Sequence, residues 1–159
     1  GEVGYPIRGI VRDGYVYLHN FKTSRWPSGN PETGYLNTDG SPTKTTLLQR
    51  NRQSQTTDPY WQLAFGKREQ EELYYLPNDP DCLQNLALSP EHADTKDALR
   101  NKLFNELKAQ GDPRMFGRGE VFDHYPLSHH KNFYERFVQG EAPNTGWINP
   151  DDFEKAPLD

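Results

Sequence analysis

The dipeptide Asp13-Gly14 stands between two short strand-like runs, and this leaves the chain few choices. Pro6-Ile7-Arg8-Gly9-Ile10-Val11-Arg12 precedes it and Tyr15-Val16-Tyr17-Leu18-His19-Asn20-Phe21 follows. Asp-Gly supplies the positive φ angles of a two-residue hairpin turn, so the two runs pair antiparallel. A third strand is predicted at Glu71-Glu72-Leu73-Tyr74-Tyr75-Leu76, closed by Pro77-Asn78-Asp79-Pro80. One long helix follows. Ser89 suits its cap, Pro90 its first turn and Glu91 the positive end of its dipole. Leu99, Leu103 and Leu107 make a buried stripe, widened by Ala98 or Phe104. Gly111 fits a left-handed stop and Asp112-Pro113 prevents continuation. A shorter helix can start at Asp58-Pro59 and run through Trp61 and Phe65 to Gly66. The predicted class is α+β: a small antiparallel sheet with one long helix packed on it.

The remainder lacks a pattern. Residues 22–57 and 112–159 show no sustained period, and structureless loops beyond roughly 15 residues are uncommon in compact domains. Leu, Ile, Val and Phe make only 31 of 159 residues, close to the level where a compact core fails. Aromatic residues at 13% and a formal charge of −5 argue against disorder. A core-poor chain with long aperiodic segments is expected to lie on another surface, as a piece of a larger protein. It begins at Gly1 and enters a strand almost at once, so the start of the gene product is expected upstream. Residues 1–114 are taken as one α+β subdomain that includes the loop 22–57, and 115–159 as an irregular extension.

Several function classes fall away. No run reaches the roughly 18 apolar residues that span a bilayer. A single cysteine, Cys82, excludes an internal disulfide framework or a multi-cysteine zinc knuckle. A pI near 5.5 disfavours nucleic acid. Charge is uneven, however: residues 1–57 carry seven Lys/Arg against four acids, which leaves eleven basic and nineteen acidic residues beyond. An anionic ligand met by the front third fits that distribution.

No nucleophile arrangement, phosphate-binding glycine loop or zinc-protease helix is present. Cys82 lacks basic neighbours that would lower its pKa. His124 and His129-His130 invite a metal reading, but adjacent loop histidines rarely share one ion, and no metal site is assigned. The stretch Lys22-Thr23-Ser24-Arg25-Trp26-Pro27-Ser28-Gly29-Asn30 leaves the second strand with two cations and an indole. Arg25 and Lys22 suit an oxyanion and Trp26 a sugar ring; a Trp that packs its loop onto a neighbouring domain is an equal alternative.

Two segments carry a resemblance. Arg8-Gly9-Ile10-Val11-Arg12-Asp13-Gly14-Tyr15-Val16-Tyr17-Leu18 resembles the M-R-x-V-R-T-x-x-Y-K-L-I hairpin at the C-terminal end of sulfatases. Glu72-Leu73-Tyr74-Tyr75-Leu76-Pro77-Asn78-Asp79-Pro80-Asp81 with Asn85-Leu86-Ala87 is similar to the sulfatase E-L-Y-D-L-x-x-D-P-x-E-x-x-N-L-A pattern. The likeness runs from about Pro6 to Arg114 and, within sulfatases, is nearest the sulfamidase and bacterial carbohydrate-sulfatase branch. It implies an upstream α/β catalytic domain of the alkaline-phosphatase-like type, with a C/S-x-P-x-R motif matured to formylglycine and a calcium site. Neither is in this chain, where Cys82 is followed by Leu83-Gln84-Asn85-Leu86. The resemblance therefore implies the C-terminal part of a sulfuric ester hydrolase, inactive alone, that supports the catalytic domain and walls the cleft for a sulfated carbohydrate. Family habit implies a secreted or periplasmic protein. A free-standing, non-catalytic binding module is the alternative.

Overall fold

The computed structural model describes residues 5–29, 31–32, 40–124, 139, 141 and 149–152. They fall into two compact units. The sheet unit comprises Pro6–Thr23 and Glu69–Tyr125; the helical unit takes in Gly1–Tyr5, Ser24–Arg68 and Pro126–Asp159.

In the sheet unit, β1 (Ile7–Arg12), β2 (Tyr15–Asn20) and β3 (Glu71–Tyr75) form an antiparallel sheet in the order β1-β2-β3. Asp13 and Gly14 both adopt positive φ, at 53° and 79°, so the turn forms as its sequence dictates. Its register sets Arg12 opposite Tyr15 and Ile10 opposite Tyr17. The next strand sets Tyr17 opposite Leu73. That alternation gathers Ile10, Tyr15, Tyr17 and Leu73 on one face, where Ala87 and helix α3 (Ala93–Ala109) complete a core. Leu99, Leu103 and Leu107 supply the helix stripe. Phe104 widens it, whereas Ala98 is exposed. The chain thus has the α+β architecture that the sequence predicts.

The outer edge of β3 is sealed by the segment that follows it. Asn85 Oδ1 accepts from Leu73 N at 2.9 Å, its Nδ2 donates to Glu71 O at 3.1 Å, and Leu86 N donates to Leu73 O at 2.8 Å. Asn78 N and Asp79 N both donate to Tyr75 O, and the Asp79 carboxylate then accepts from Leu83 N and Gln84 N. The Asn85-Leu86-Ala87 stretch has a mechanical role: a side-chain amide stands in for a fourth strand.

The ends of α3 differ in how well they follow the sequence. Ser89 makes no side-chain cap, and Pro90–His92 form a 3₁₀ turn that feeds the α-helix at Ala93. Gly111, at φ 75°, stops it: Gly111 N donates to Lys108 O and Asp112 N to Leu107 O, the paired bonds of a left-handed helix end. Asp112 then caps a 3₁₀ turn at Pro113–Phe116, and a second follows at Gly119–His124. Most of the tail beyond lies outside the described residues.

The helical unit corrects one expectation. Within the segment predicted to be irregular, Pro42–Gln53 form helix α1, capped by Ser41 Oγ accepting from Lys44 N at 3.1 Å. Ser41-Pro42 is an ordinary start signal. The helix was hidden because Leu47 and Leu48 are its only aliphatic residues and give no stripe. Helix α2 (Pro59–Phe65) forms as predicted, with Asp58 accepting from Tyr60 N and Trp61 N and with Gly66 at its end. Leu48, Trp61 and Phe65 are buried together, with Trp26 and Leu47 packed against them. Asp58 also binds Arg50 at 3.1 Å, and Asn51 Oδ1 accepts Asp58 N, which ties the two helices.

Candidate functional site

Strand β2 ends in Asn20, whose side chain is buried. Its Nδ2 donates to Glu72 Oε1 and to Glu69 O, both at 2.6 Å, and Tyr74 OH donates to Glu72 Oε2 at 2.6 Å. Burying a carboxylate is costly unless its oxygens are occupied. Here each oxygen takes a donor, so the strand end is fixed before the chain reaches Lys22.

Beside that end the sheet unit collects cations over aromatic rings. Arg114 lies 3.9 Å from the Phe122 ring centroid and 5.9 Å from that of Phe21; Arg8 lies 5.8 Å from Phe122. Arg8 Nε donates to Asp112 Oδ2 at 2.6 Å, and Lys22 Nζ is 3.6 Å from Asp123 Oδ2. Burial would raise the Asp112 pKa. Hydrogen bonds from Arg114 N and Arg8, with the charges of both arginines, overcome it and hold the carboxyl below its ordinary range. Arg8 and Arg114 thus share the Asp112 carboxylate while Lys22 faces Asp123, three cations against two carboxylates.

Under α3 lies a second polar group that sequence reasoning missed. Tyr17 OH donates to Glu71 Oε1 at 2.8 Å and sits 3.3 Å from His19 Nδ1; Lys96 and Arg100 approach the same carboxylate at 3.5 and 3.3 Å. Burial and the bond to Glu71 push the Tyr17 phenol well above its ordinary pKa. Burial lowers His19, with Glu71 opposing and Arg100 assisting; the ring packs edge-on against Phe21 and Phe104. For Glu71, burial raises the pKa, but the Tyr17 bond and the two cations win and lower it. The alternation of β2 with β3 was the available signal, since it sets His19 opposite Glu71.

The three residues proposed from sequence are divided between the units. Lys22 belongs to the sheet unit, exposed beside Asp123; Arg25 and Trp26, both half-buried, belong to the helical unit. Trp26 meets Trp61 edge-on at 5.9 Å, and Lys67 Nζ stands 4.9 Å from its ring centroid. Its indole is an element of that unit's packing. Asn30 and His129-His130 lie outside the described residues.

The Cys82 thiol is pushed up by burial and by the negative charges of Asp79, Asp81 and Glu72, which disfavours a thiolate nucleophile. Among the described residues no three His, Cys, Asp or Glu side chains are placed to hold a metal ion. No described helix is long and apolar enough to cross a membrane. A shallow groove of about 520 Å³ runs between the hairpin turn and α3, with Arg12, Tyr15, Thr95 and Lys102 among its lining.

No protein-family profile matches the chain. An ulvan-active sulfatase of Formosa agariphila is 31% identical over 108 residues. The match takes in 68% of this chain and 18% of that protein's length. The chain is thus similar to a small part of a sulfatase.

Proposed function

We propose that the chain is the C-terminal part of a sulfatase acting on a sulfated carbohydrate, where it supports an upstream catalytic domain and lines its cleft. The observation that carries this reading is the similarity to a part of the ulvan-active sulfatase. The hairpin, the sealed third strand and the helix agree with a supporting role: their polar groups are spent on one another. Formylglycine and calcium belong, on this reading, to the upstream domain, and the whole protein is secreted or periplasmic. Its branch is that of the sulfamidases and bacterial carbohydrate sulfatases. Lys22, Arg25 and Trp26 contribute to the cleft, with Arg25 engaging an anionic substituent and Trp26 a sugar ring. The packing of Trp26 on Trp61 favours a second reading for that residue alone, as a staple of its own unit.

Two experiments test this. The coding sequence is read upstream for a C/S-x-P-x-R motif, and this chain and the longer protein are assayed on an aryl sulfate and on ulvan. The expected result is turnover by the longer protein alone; an active isolated chain, or a gene product without that motif, overturns the proposal. In the longer protein, Arg25→Ala then costs about 1.5–3 kcal/mol in substrate binding, the range for a charge-assisted hydrogen bond. Trp26→Ala separates the two readings of its indole: a raised KM on ulvan speaks for the cleft, an unchanged KM with a lowered Tm for the staple.

A further inference from the structure

Two cations of the helical unit are neutralised by carboxylates: Arg50 meets Asp58 at 3.0 Å, and Arg52 meets Glu32 through Nε at 2.9 Å. Lys67 is held differently. Its Nζ stands 4.9 Å from the centroid of the Trp26 ring, and among the described residues it forms no ion pair with a carboxylate. Its place is nonetheless fixed. Gly66 ends α2 and turns the chain out at once; a Cβ there would lie 2.6 Å from Gln62 O, so no other residue fits the exit. Gln62 Nε2 donates to Lys67 O at 3.4 Å and Arg68 Nη2 donates to Leu63 O at 2.7 Å, which ties the backbone around Lys67 to the helix. The ring beneath the ammonium is fixed as well, since Trp26 packs edge-on against the buried Trp61. A carboxylate partner cancels a cation's charge, whereas an indole face orients the ammonium and leaves its charge for another anion.

We infer that Lys67 is an anion-binding residue, held on Trp26 as a platform, that takes a sulfate group of the carbohydrate substrate. This rests on the function proposed above. The group is one that stays on the sugar, because on that reading the sulfate being cleaved is gripped by the upstream domain. The three N–H donors of Nζ suit sulfate oxygens, and the contact with the ring consumes none of them. Much of the rotamer freedom that a lysine loses on binding is already gone here, which favours the bound state. Trp26 is then a positioning residue that acts through Lys67, and its indole packs on Trp61 and supports the cation at once. The result is a preference for carbohydrate that carries more than one sulfate.

Two readouts on the longer protein test this: retardation in gels containing ulvan or desulfated ulvan, and kcat and KM on ulvan and on an aryl sulfate. Lys67→Met keeps an unbranched stem over the ring and removes the charge. It is expected to weaken binding to ulvan by roughly 10-fold or more, the range of a charge-assisted hydrogen bond, and to raise KM on ulvan to match. Binding to desulfated ulvan, kcat, the aryl-sulfate kinetics and Tm stay unchanged. Lys67→Arg, which keeps the charge and stacks on an aromatic face, retains ulvan binding. Trp26→Phe, a weaker platform, lowers ulvan binding in the otherwise unaltered protein but not in Lys67→Met. Unchanged ulvan binding and KM in Lys67→Met overturn the inference while the sulfatase reading stands. So does an equal loss on desulfated ulvan, or a lowered Tm with both substrates affected alike, since the lysine would then only support its unit. A longer protein that turns over neither substrate overturns the sulfatase reading and the inference with it.

Discussion

In the sheet unit, three leucines spaced four apart on α3 meet Tyr17 and Leu73; in the helical unit, two tryptophans and a phenylalanine meet the fully buried Leu48. The first core is aliphatic and periodic. The second is aromatic, small and surrounded by ion pairs. Arg52 reaches buried Glu32 through Nε at 2.9 Å and also donates to the carbonyls of Asp151 and Asp152; Thr45 Oγ1 donates to Asp152 Oδ1 at 2.6 Å. Such a unit takes its geometry from directed bonds, because it has too few aliphatic groups to take it from packing alone.

The largest expected effects bear on that contrast. Arg52→Ala removes the guanidinium from a carboxylate that is 2% exposed, and breaking a buried pair from one side costs about 3–5 kcal/mol. In the sheet unit the counterpart is Leu103→Ala, at about 2–5 kcal/mol for the lost burial and the cavity left behind. Urea unfolding, with amide protection of α1 and of α3 followed separately, measures both. An Arg52→Ala cost below about 1 kcal/mol, in the range of a surface pair, would break the comparison, since the helical unit would then not depend on its charges.

The same contrast decides what could be seen in the sequence. The hairpin was legible because Asp13-Gly14 works locally, and α3 because its leucines recur at the helical period. Helix α1 was not, since its order depends on Ser41, Asp152 and Glu32, which are distant from or polar beside its two leucines. Of the candidate sites, the loop from Lys22 was visible by composition, but its division between two units was not. The Tyr17–Glu71 bond joins residues 54 apart, and no local pattern announces it.

Tyr17→Phe sharpens the comparison from the other side, by asking how far a polar bond matters inside the aliphatic core. The hydroxyl it removes donates to an ionised Glu71 beneath α3, so the cost is about 1.5–3 kcal/mol. Because that bond is among those that lower the Glu71 pKa, the carboxyl should also titrate higher in the variant, as read by NMR. A smaller effect follows from His19. Its pKa is lowered from 6.5 by burial, so the folded unit binds fewer protons than the unfolded chain just below that pH. Stability is lost as pH falls through 6.5 toward the folded value, whereas Asp58 in the helical unit, lowered from 3.8, costs its unit stability only below that pH. Melting between pH 7.5 and 5 should therefore weaken protection of α3 before that of α2. His19→Gln should flatten the difference; an equal response from both units would show that His19 is not its source.

The smallest effect is expected where the sheet unit carries charge on its surface. Lys102 and Glu106 lie one turn apart on α3, 2.6 Å from each other, with 41% and 50% of their side chains exposed. Water screens such a pair, and two long side chains lose rotamer freedom to hold it, so it is worth about 0.3–0.5 kcal/mol. Alanine at 102 also has the better intrinsic helix propensity, which offsets part of that loss. Lys102→Ala should shift unfolding by no more than about 0.5 kcal/mol, and the remaining difference should vanish near 1 M salt, where the screening length falls to about 3 Å. Arg52→Ala, acting on a buried carboxylate, should keep most of its cost in the same salt. A Lys102→Ala cost that is large and insensitive to salt would mean that charge orders the sheet unit as well, and the distinction between the two units would fail at its sharpest point.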